Sequence, residues 1–233
     1  MRYKDMKTKK LIFTFIMMSG IAYSQVVGGA SDAFIRDFAN NWGNNVVKSV
    51  SIDALKKETK GSPYFDENFY DAKLNGGIAV PQKLRYDAYT DQMEFLQEGK
   101  TFEVNKFEGL EIEFPKINKK YIVVKYESDG KETEGYMVVN YKGDKYSLLT
   151  REKIDLKEAQ GMNNGLVNNS GASFAKRKDT FYIANEKGVK LVKSTNDLKS
   201  IAEGNPKATE YLEINKVNVK NINMLIDFVK YLN

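Results

Sequence analysis

Neither histidine nor cysteine occurs anywhere in the 233 residues. Those two absences remove Ser-His-Asp triads, Cys-His dyads, thiol redox chemistry and nearly all zinc and copper sites. The glycine patterns that cradle phosphates, G-x-x-x-x-G-K-[ST] and G-x-G-x-x-G, are missing as well. Long apolar runs are also lacking. The longest, Leu11 to Ala22, has about 12 residues, where a membrane-crossing helix needs about 20. The chemistry left open is carboxylate-pair glycoside hydrolysis, Ser-Lys chemistry, or a hard metal held by oxygens. Asp87, Asp91 and Glu94 cluster near one hairpin and could serve a carboxylate-dependent hydrolase. Acidic residues at alternate strand positions more often form a solvated face, so no catalytic, cofactor-binding or metal-binding residue is assigned.

What is present begins with a leader. Lys7, Lys9 and Lys10 precede the short apolar run, and Ala22-Tyr23-Ser24 offers small residues at the −3 and −1 positions. The pattern predicts a signal peptide over residues 1–24, cleaved after Ser24. Without that leader the chain carries 31 basic against 30 acidic residues, so the +5 net charge belongs mostly to the leader. No broad basic field is left to attract nucleic acid or an anionic membrane. An exported protein can use disulfides, and this one does without them. A remainder of this size makes one ordinary domain and buries enough surface to fold unaided.

Residues 25–60 read as a lead-in. Phe34, Ile35, Phe38 and Trp42 recur at helical spacing behind a capping Ser31, and Trp42 is expected to pack against a sheet. Val46 to Leu55 reads as a strand.

Residues 61–98 organise the rest. Pro63, Pro81, Tyr64, Phe65, Phe69, Tyr70, Tyr86 and Tyr89 gather there. Asp66, Glu67, Asn68 and Asp71 lack the ligand order of a calcium loop and read as a solvated acidic loop. Asn75-Gly76-Gly77 marks a tight turn. Leu84, Tyr86 and Ala88 alternate with Arg85, Asp87 and Tyr89, and Met93 and Phe95 repeat the period after a turn near Asp91. The first set, with Met93 and Phe95, is expected to face a core. Further strands follow at 101–104, 110–114, 121–126, 136–141, 146–149, 174–184 and 189–193. Asp129-Gly130 is a strong hairpin signal. Short turns between the strands predict a meander. Residues 161–173, rich in asparagine, glycine and serine, read as a loop.

The strings GSPYF at 61–65, VPQKLRYDAYTDQMEF at 80–95 and VKYLN at 229–233 resemble a family of uncharacterised exported proteins of Gram-negative bacteria. In that family a GSPY element precedes LRY-x-x-Y-x-D-x-M/I-E-F/V, strands follow, and a short helical tail closes the chain. The resemblance covers the chain from about residue 50. It implies export and a β-rich fold, and it carries over no catalytic residue.

The tail is helical. Thr195 or Asn196 can cap a helix ending at Ala202, and Asn205-Pro206 starts another that runs to about Glu213. Asn221 precedes a third, with Ile222, Leu225, Ile226, Val229 and Leu232 forming an apolar stripe. That stripe is expected to pack on its own domain.

The fold expected is α+β and mainly β. It comprises an antiparallel meander sheet, open or curled toward a barrel, with an N-terminal helix and short C-terminal helices. The parts are a leader at 1–24, the lead-in at 25–60, the β domain at 61–193 and a helical segment at 194–233. The function expected is that of a periplasmic binding or envelope-accessory protein without catalysis. Its partner would be an envelope protein, a glycan or a lipid, and not nucleic acid. The surface expected to act comprises Tyr64, Phe65, Tyr70, Arg85, Asp87, Tyr89 and Asp91, because tyrosine offers a large contact area with a polar tip. A carrier of lipid or another apolar ligand inside an open barrel is the alternative.

Overall fold

A computed structural model describes residues 59–158 and 171–233, together with the backbone of 46–48. The expected leader, the helix at 31–42 with Trp42, and most of the loop at 161–173 lie outside the described residues.

The strands are β1 (Val46–Lys48), β2 (Lys73–Leu74), β3 (Ile78–Ala79), β4 (Leu84–Asp87), β5 (Gln92–Gln97), β6 (Lys100–Val104) and β7 (Glu111–Phe114). They continue with β8 (Lys119–Ser128), β9 (Lys131–Lys142), β10 (Ser147–Arg151), β11 (Ile154–Lys157), β12 (Ser173–Lys176), β13 (Thr180–Asn185) and β14 (Gly188–Val192). Helices α1 (Thr195–Ala202), α2 (Pro206–Ile214) and α3 (Ile222–Leu232) follow. The protein is therefore mainly β, as the alternating pattern predicts. Among the described residues no helix is long and apolar enough to cross a membrane.

The meander divides into two sheets where a single one was expected. A small sheet has the order β1-β6-β5-β4, and a large one has the order β14-β13-β10-β9-β8-β7-β2-β3. The ladders are antiparallel. The division falls between β6 and β7, where the chain turns through Gly109 at φ 82°. The expected strand at 174–184 is likewise two strands. β12 pairs with β11 as a separate hairpin, and the chain breaks at 177–179 before β13 joins the large sheet. The β8–β9 hairpin turns at Asp129-Gly130 as predicted. Both residues have positive φ, 53° and 74°, matching the right-handed twist of the flanking strands.

Period two places three cores. Between the two sheets lie Leu84, Tyr86, Met93 and Phe95 of the small sheet against Ile112, Phe114, Tyr121, Val123 and Tyr136 of the large one. Leu84, Tyr86, Ala88, Met93 and Phe95, the five residues expected to face inward from the β4–β5 hairpin, all do so. Farther along the same face, Leu148, Phe181, Ile183 and Val192 meet the helices through Leu198, Leu225, Phe228 and Val229. The opposite face of the large sheet curls inward and fills itself with Ile122, Val124, Tyr126, Met137, Leu149, Tyr182 and Ala184. The curl brings β14 alongside β8, but no ladder joins them and the sheet remains open.

The helices form where caps and apolar spacing require. Ser194, one residue before the expected cap, makes a reciprocal capping box with Asp197. Asn205 and Asn221 cap as predicted. The Asn233 side chain accepts from the amides of Lys145 and Tyr146 and donates to the Tyr146 and Val229 carbonyls, tying α3 to the β9–β10 turn.

Candidate functional site

The segment from Lys60 to Tyr70 lies along the free edge of β4 and is pinned at both ends. Lys60 bridges to Ser173, and Gly61 adopts φ 82° where a Cβ would lie 3.0 Å from the Phe174 carbonyl oxygen. Tyr64 bridges to Asp87 and Tyr70 to Leu84, the latter through two backbone hydrogen bonds of 2.8 and 2.9 Å. Pro63 cannot donate to a ladder, but its carbonyl accepts from the Ala88 amide at 3.0 Å.

This cover corrects the expectation of a wet outer face on the β4–β5 hairpin. Asp87 and Glu94 are fully buried. The Arg85 guanidinium bonds Glu94 at 2.9 Å, donates to the Tyr64 hydroxyl at 2.7 Å, and lies 3.6 Å over the Tyr64 ring and 4.2 Å over that of Phe69. The Tyr64 hydroxyl in turn donates to Glu94 at 2.9 Å. Asp87 accepts from the amides of Tyr89 and Thr90 and so shapes the turn. Asp91, at φ 60°, reaches across to the large sheet. It accepts from the Tyr86 hydroxyl at 2.7 Å, the Tyr136 amide at 3.2 Å and the Lys106 ammonium at 3.0 Å. Gly135 leaves room for it, since a Cβ there would sit 2.7 Å from the carboxylate. Tyr89 is half-buried, its ring edge-on to Phe174 at 5.2 Å.

Of the seven residues expected to form a binding surface, five therefore serve mainly inside the fold. Tyr64 and Asp87 are buried, Arg85 is clamped, Asp91 joins the two sheets, and Tyr89 packs on Phe174. Phe65 and Tyr70 are partly buried like Tyr89 and pack against the same core. They open onto a cleft whose walls include Asp66, Asn68, Arg85, Phe114, Lys119 and Tyr121. Its volume is about 30 Å3, room for no more than a few waters.

Cations crowd these rings. Lys116 lies 5.7 Å over Tyr70, and Lys176 and Lys119 lie 4.7 and 5.9 Å over Phe65. Lys119 is paired with Glu152 at 2.7 Å, and Glu152 also accepts from the Tyr121 hydroxyl at 2.8 Å. Burial and the Glu152 charge hold that phenol protonated well above its ordinary range. Lys116 and Lys176 have no carboxylate within ion-pair distance among the described residues. Sequence reasoning missed these lysines. Lys119 and Tyr121 share a strand face at period two, which is a usable signal, whereas Lys176 arrives only through the distant β11–β12 hairpin.

At the rim, Asp66 accepts from the Tyr70 hydroxyl at 2.5 Å and from the Asn68 amide at 3.0 Å. The tyrosine bond above all holds its carboxyl below the ordinary aspartate value. A depressed folded value means that the rim contact is fully present above the unfolded pKa and is lost as pH falls through the folded one. A carboxyl NMR titration should find Asp66 below 3.8, moving up toward that value in Tyr70→Phe; an unchanged midpoint would show the hydroxyl to be irrelevant.

Two larger open cavities lie at the other end, flanking Lys190 beside α1. One of about 400 Å3 is bounded by Glu127, Asp129, Lys193 and Asp197, and one of about 340 Å3 by Tyr146, Asn185, Lys187 and Glu203. Their walls mix both charge signs and bring no aromatic group to solvent beyond Tyr146. Among the described residues no group of three acidic side chains is placed to hold a metal. Comparison with family models, with curated proteins and with solved structures found no match for this chain.

Proposed function

We propose that this chain is an exported, periplasmic binding or envelope-accessory protein that works without catalysis, and that it recognises its partner across the Phe65–Tyr70 cleft. One observation carries the reading. Two partly buried aromatic rings line the cleft, and over each lies an exposed lysine, Lys116 or Lys176, with no ion-pair partner among the described residues. Aromatic side chains and arginine are enriched at recognition surfaces, and Phe65, Tyr70 and Arg85 meet at this one cleft. The acidic residues that a hydrolase would draw on are already committed elsewhere. Asp87 shapes a turn, Asp91 joins the sheets, and Glu94 neutralises Arg85. The carrier alternative has less support, because the inside of the curl is filled by its own side chains.

A photo-crosslinking diazirine residue at Asn68, on the exposed rim, tests this in cells. A discrete crosslinked product is expected from the wild-type background, and it should fall severalfold when Phe65→Ala is added. Crosslinking that ignores Phe65→Ala, or that is no stronger than from Glu213 on α2, would remove the cleft as the recognition surface. A stoichiometric lipid in the native mass of the purified protein would instead select the carrier.

A further inference from the structure

We infer that the tyrosines packed between the two sheets conduct a one-electron oxidation outward, from Tyr86 through Tyr121 to Tyr70 at the rim. The protein thereby surrenders an oxidising equivalent at its surface instead of in its core, whatever the cleft binds.

Two geometric facts carry the inference. The rings form a continuous row. Centroids are 4.8 Å apart from Tyr86 to Tyr121, 5.9 Å from Tyr121 to Phe114, and 6.4 Å from Phe114 to Tyr70. Each phenol in the row also has its own proton acceptor. The Tyr86 hydroxyl donates to Asp91 at 2.7 Å, that of Tyr121 to Glu152 at 2.8 Å, and that of Tyr70 to Asp66 at 2.5 Å. A phenol loses an electron far more readily when its proton leaves at the same moment, and a hydrogen-bonded carboxylate takes that proton. Tyr136 is the contrast. It is buried 5.9 Å from Tyr86, but its hydroxyl has no hydrogen-bond partner among the described residues.

The oxidant is an outer-sphere one-electron acceptor, a metal complex or a diffusing radical, which ends one electron richer. At each step the next phenol breaks its O–H bond, passing its electron to the phenoxyl behind it and its proton to its own carboxylate. The phenoxyl behind is reduced and recovers its proton from its own acid, so only the electron vacancy advances. Electrostatics sets the direction. Asp91 is paired with Lys106 and Glu152 with Lys119, in side chains 13% to 25% exposed. Protonating either carboxylate strips a sheltered ammonium of its counter-charge, which is costly. Asp66 is exposed and has no ion pair among the described residues, so its new proton passes to water and leaves no uncompensated charge. The radical is therefore lowest in free energy at Tyr70. Its arrival there spares Met93, which is fully buried opposite Tyr86 and would become a polar sulfoxide inside the core.

The chain has no cysteine, so Asn105→Cys, at an exposed position, takes a ruthenium tris-bipyridyl label at one place. The neighbouring Lys106 bonds Asp91, which puts the label at the Tyr86 end. Flash oxidation of the label to Ru(III), with a cobalt(III) ammine as electron acceptor, starts the transfer. A nitroso spin trap and peptide mass spectrometry then locate the radical. The adduct is expected chiefly on Tyr70. Tyr121→Phe, which keeps the ring and removes the phenol, should lower it severalfold, and Phe114→Leu should do the same. Tyr136→Phe should leave it unchanged. Melts identify which variants fold, and either of the first two decides the matter alone. An undiminished Tyr70 adduct in a folded Tyr121→Phe or Phe114→Leu protein overturns the relay, as does a yield that rises with protein concentration. Adducts as abundant on the exposed Tyr231 as on Tyr70, or absent from tyrosine, overturn it too. Loss of the adduct in Tyr136→Phe overturns the requirement for a proton acceptor.

Discussion

Arg85→Met should lower stability by about 3–5 kcal/mol, and adding Glu94→Leu should restore most of it. The Glu94 side chain is 0% exposed and that of Arg85 15%. Removing the guanidinium alone takes a charged partner away from a fully buried carboxylate, and the Tyr64 hydroxyl carries no charge to put in its place. Removing both charges with apolar side chains of similar length abolishes the desolvation cost on each side. Such exchanges are often neutral or favourable, whereas breaking one half of a buried pair is not. Urea melts of the four proteins in the cycle read the result. A loss below about 1 kcal/mol in the single variant, or additive losses in the double, would show that the pair is not coupled and that the cover formed by residues 61–70 matters less than its contacts indicate.

Phe95→Ala should cost a similar amount, about 3–5 kcal/mol, by a different route. Phe95 is fully buried between the sheets and stacks on Phe102 with centroids 5.5 Å apart. Truncation removes that contact and leaves a cavity among Leu84, Met93 and Ile112 that rigid sheet backbones cannot collapse to fill. Tyr89→Ala is the comparison. The alternation alone puts Tyr89 on an outer face, where its loss would cost little, but its edge-on contact with Phe174 raises the expected loss to on the order of 1–2 kcal/mol. Thermal melts should therefore rank wild type, Tyr89→Ala and Phe95→Ala in that order. Equal and small shifts would mean that the β4–β5 hairpin is not a core element.

These two sites mark where the sequence was legible and where it was not. Leu84, Tyr86, Met93 and Phe95 could be placed inside from spacing alone, because a strand's period is a local property. The same period put Arg85, Asp87 and Glu94 outside, and that inference failed for a nonlocal reason. The residues covering them come from 61–70, and nothing in β4 or β5 records that another segment bridges to Asp87 and Leu84. Turn and cap chemistry was equally local, so Asp129-Gly130, Asn205-Pro206 and Asn221 read correctly. Phe228, a fully buried member of the α3 core, falls between the positions of the stripe read at i, i+3 and i+4. The division into two sheets had no local signal, because β6 and β7 each alternate well enough to pair with the other. For the candidate site, Phe65 and Tyr70 stood out by composition. The lysines that give them chemical meaning came from β12 and from the turn before β8, joined to the rings only by tertiary structure.

The approach of β14 to β8 without a ladder bears on edge-to-edge association between molecules. Among the described residues, β8 beyond Val123 has no strand on the side away from β9, and β14 has none on the side away from β13. Exposed strand rims of this kind are templates on which other chains can add and grow into fibres. Here the two rims lie beside each other, so a third strand seeking either must contend with the other. Glu127 of β8 and Lys190 of β14 flank this approach with charges of both signs, which further penalise an incoming backbone. The curl thereby does by proximity what a closed barrel does by bonding: it hides the two rims most able to recruit a second molecule.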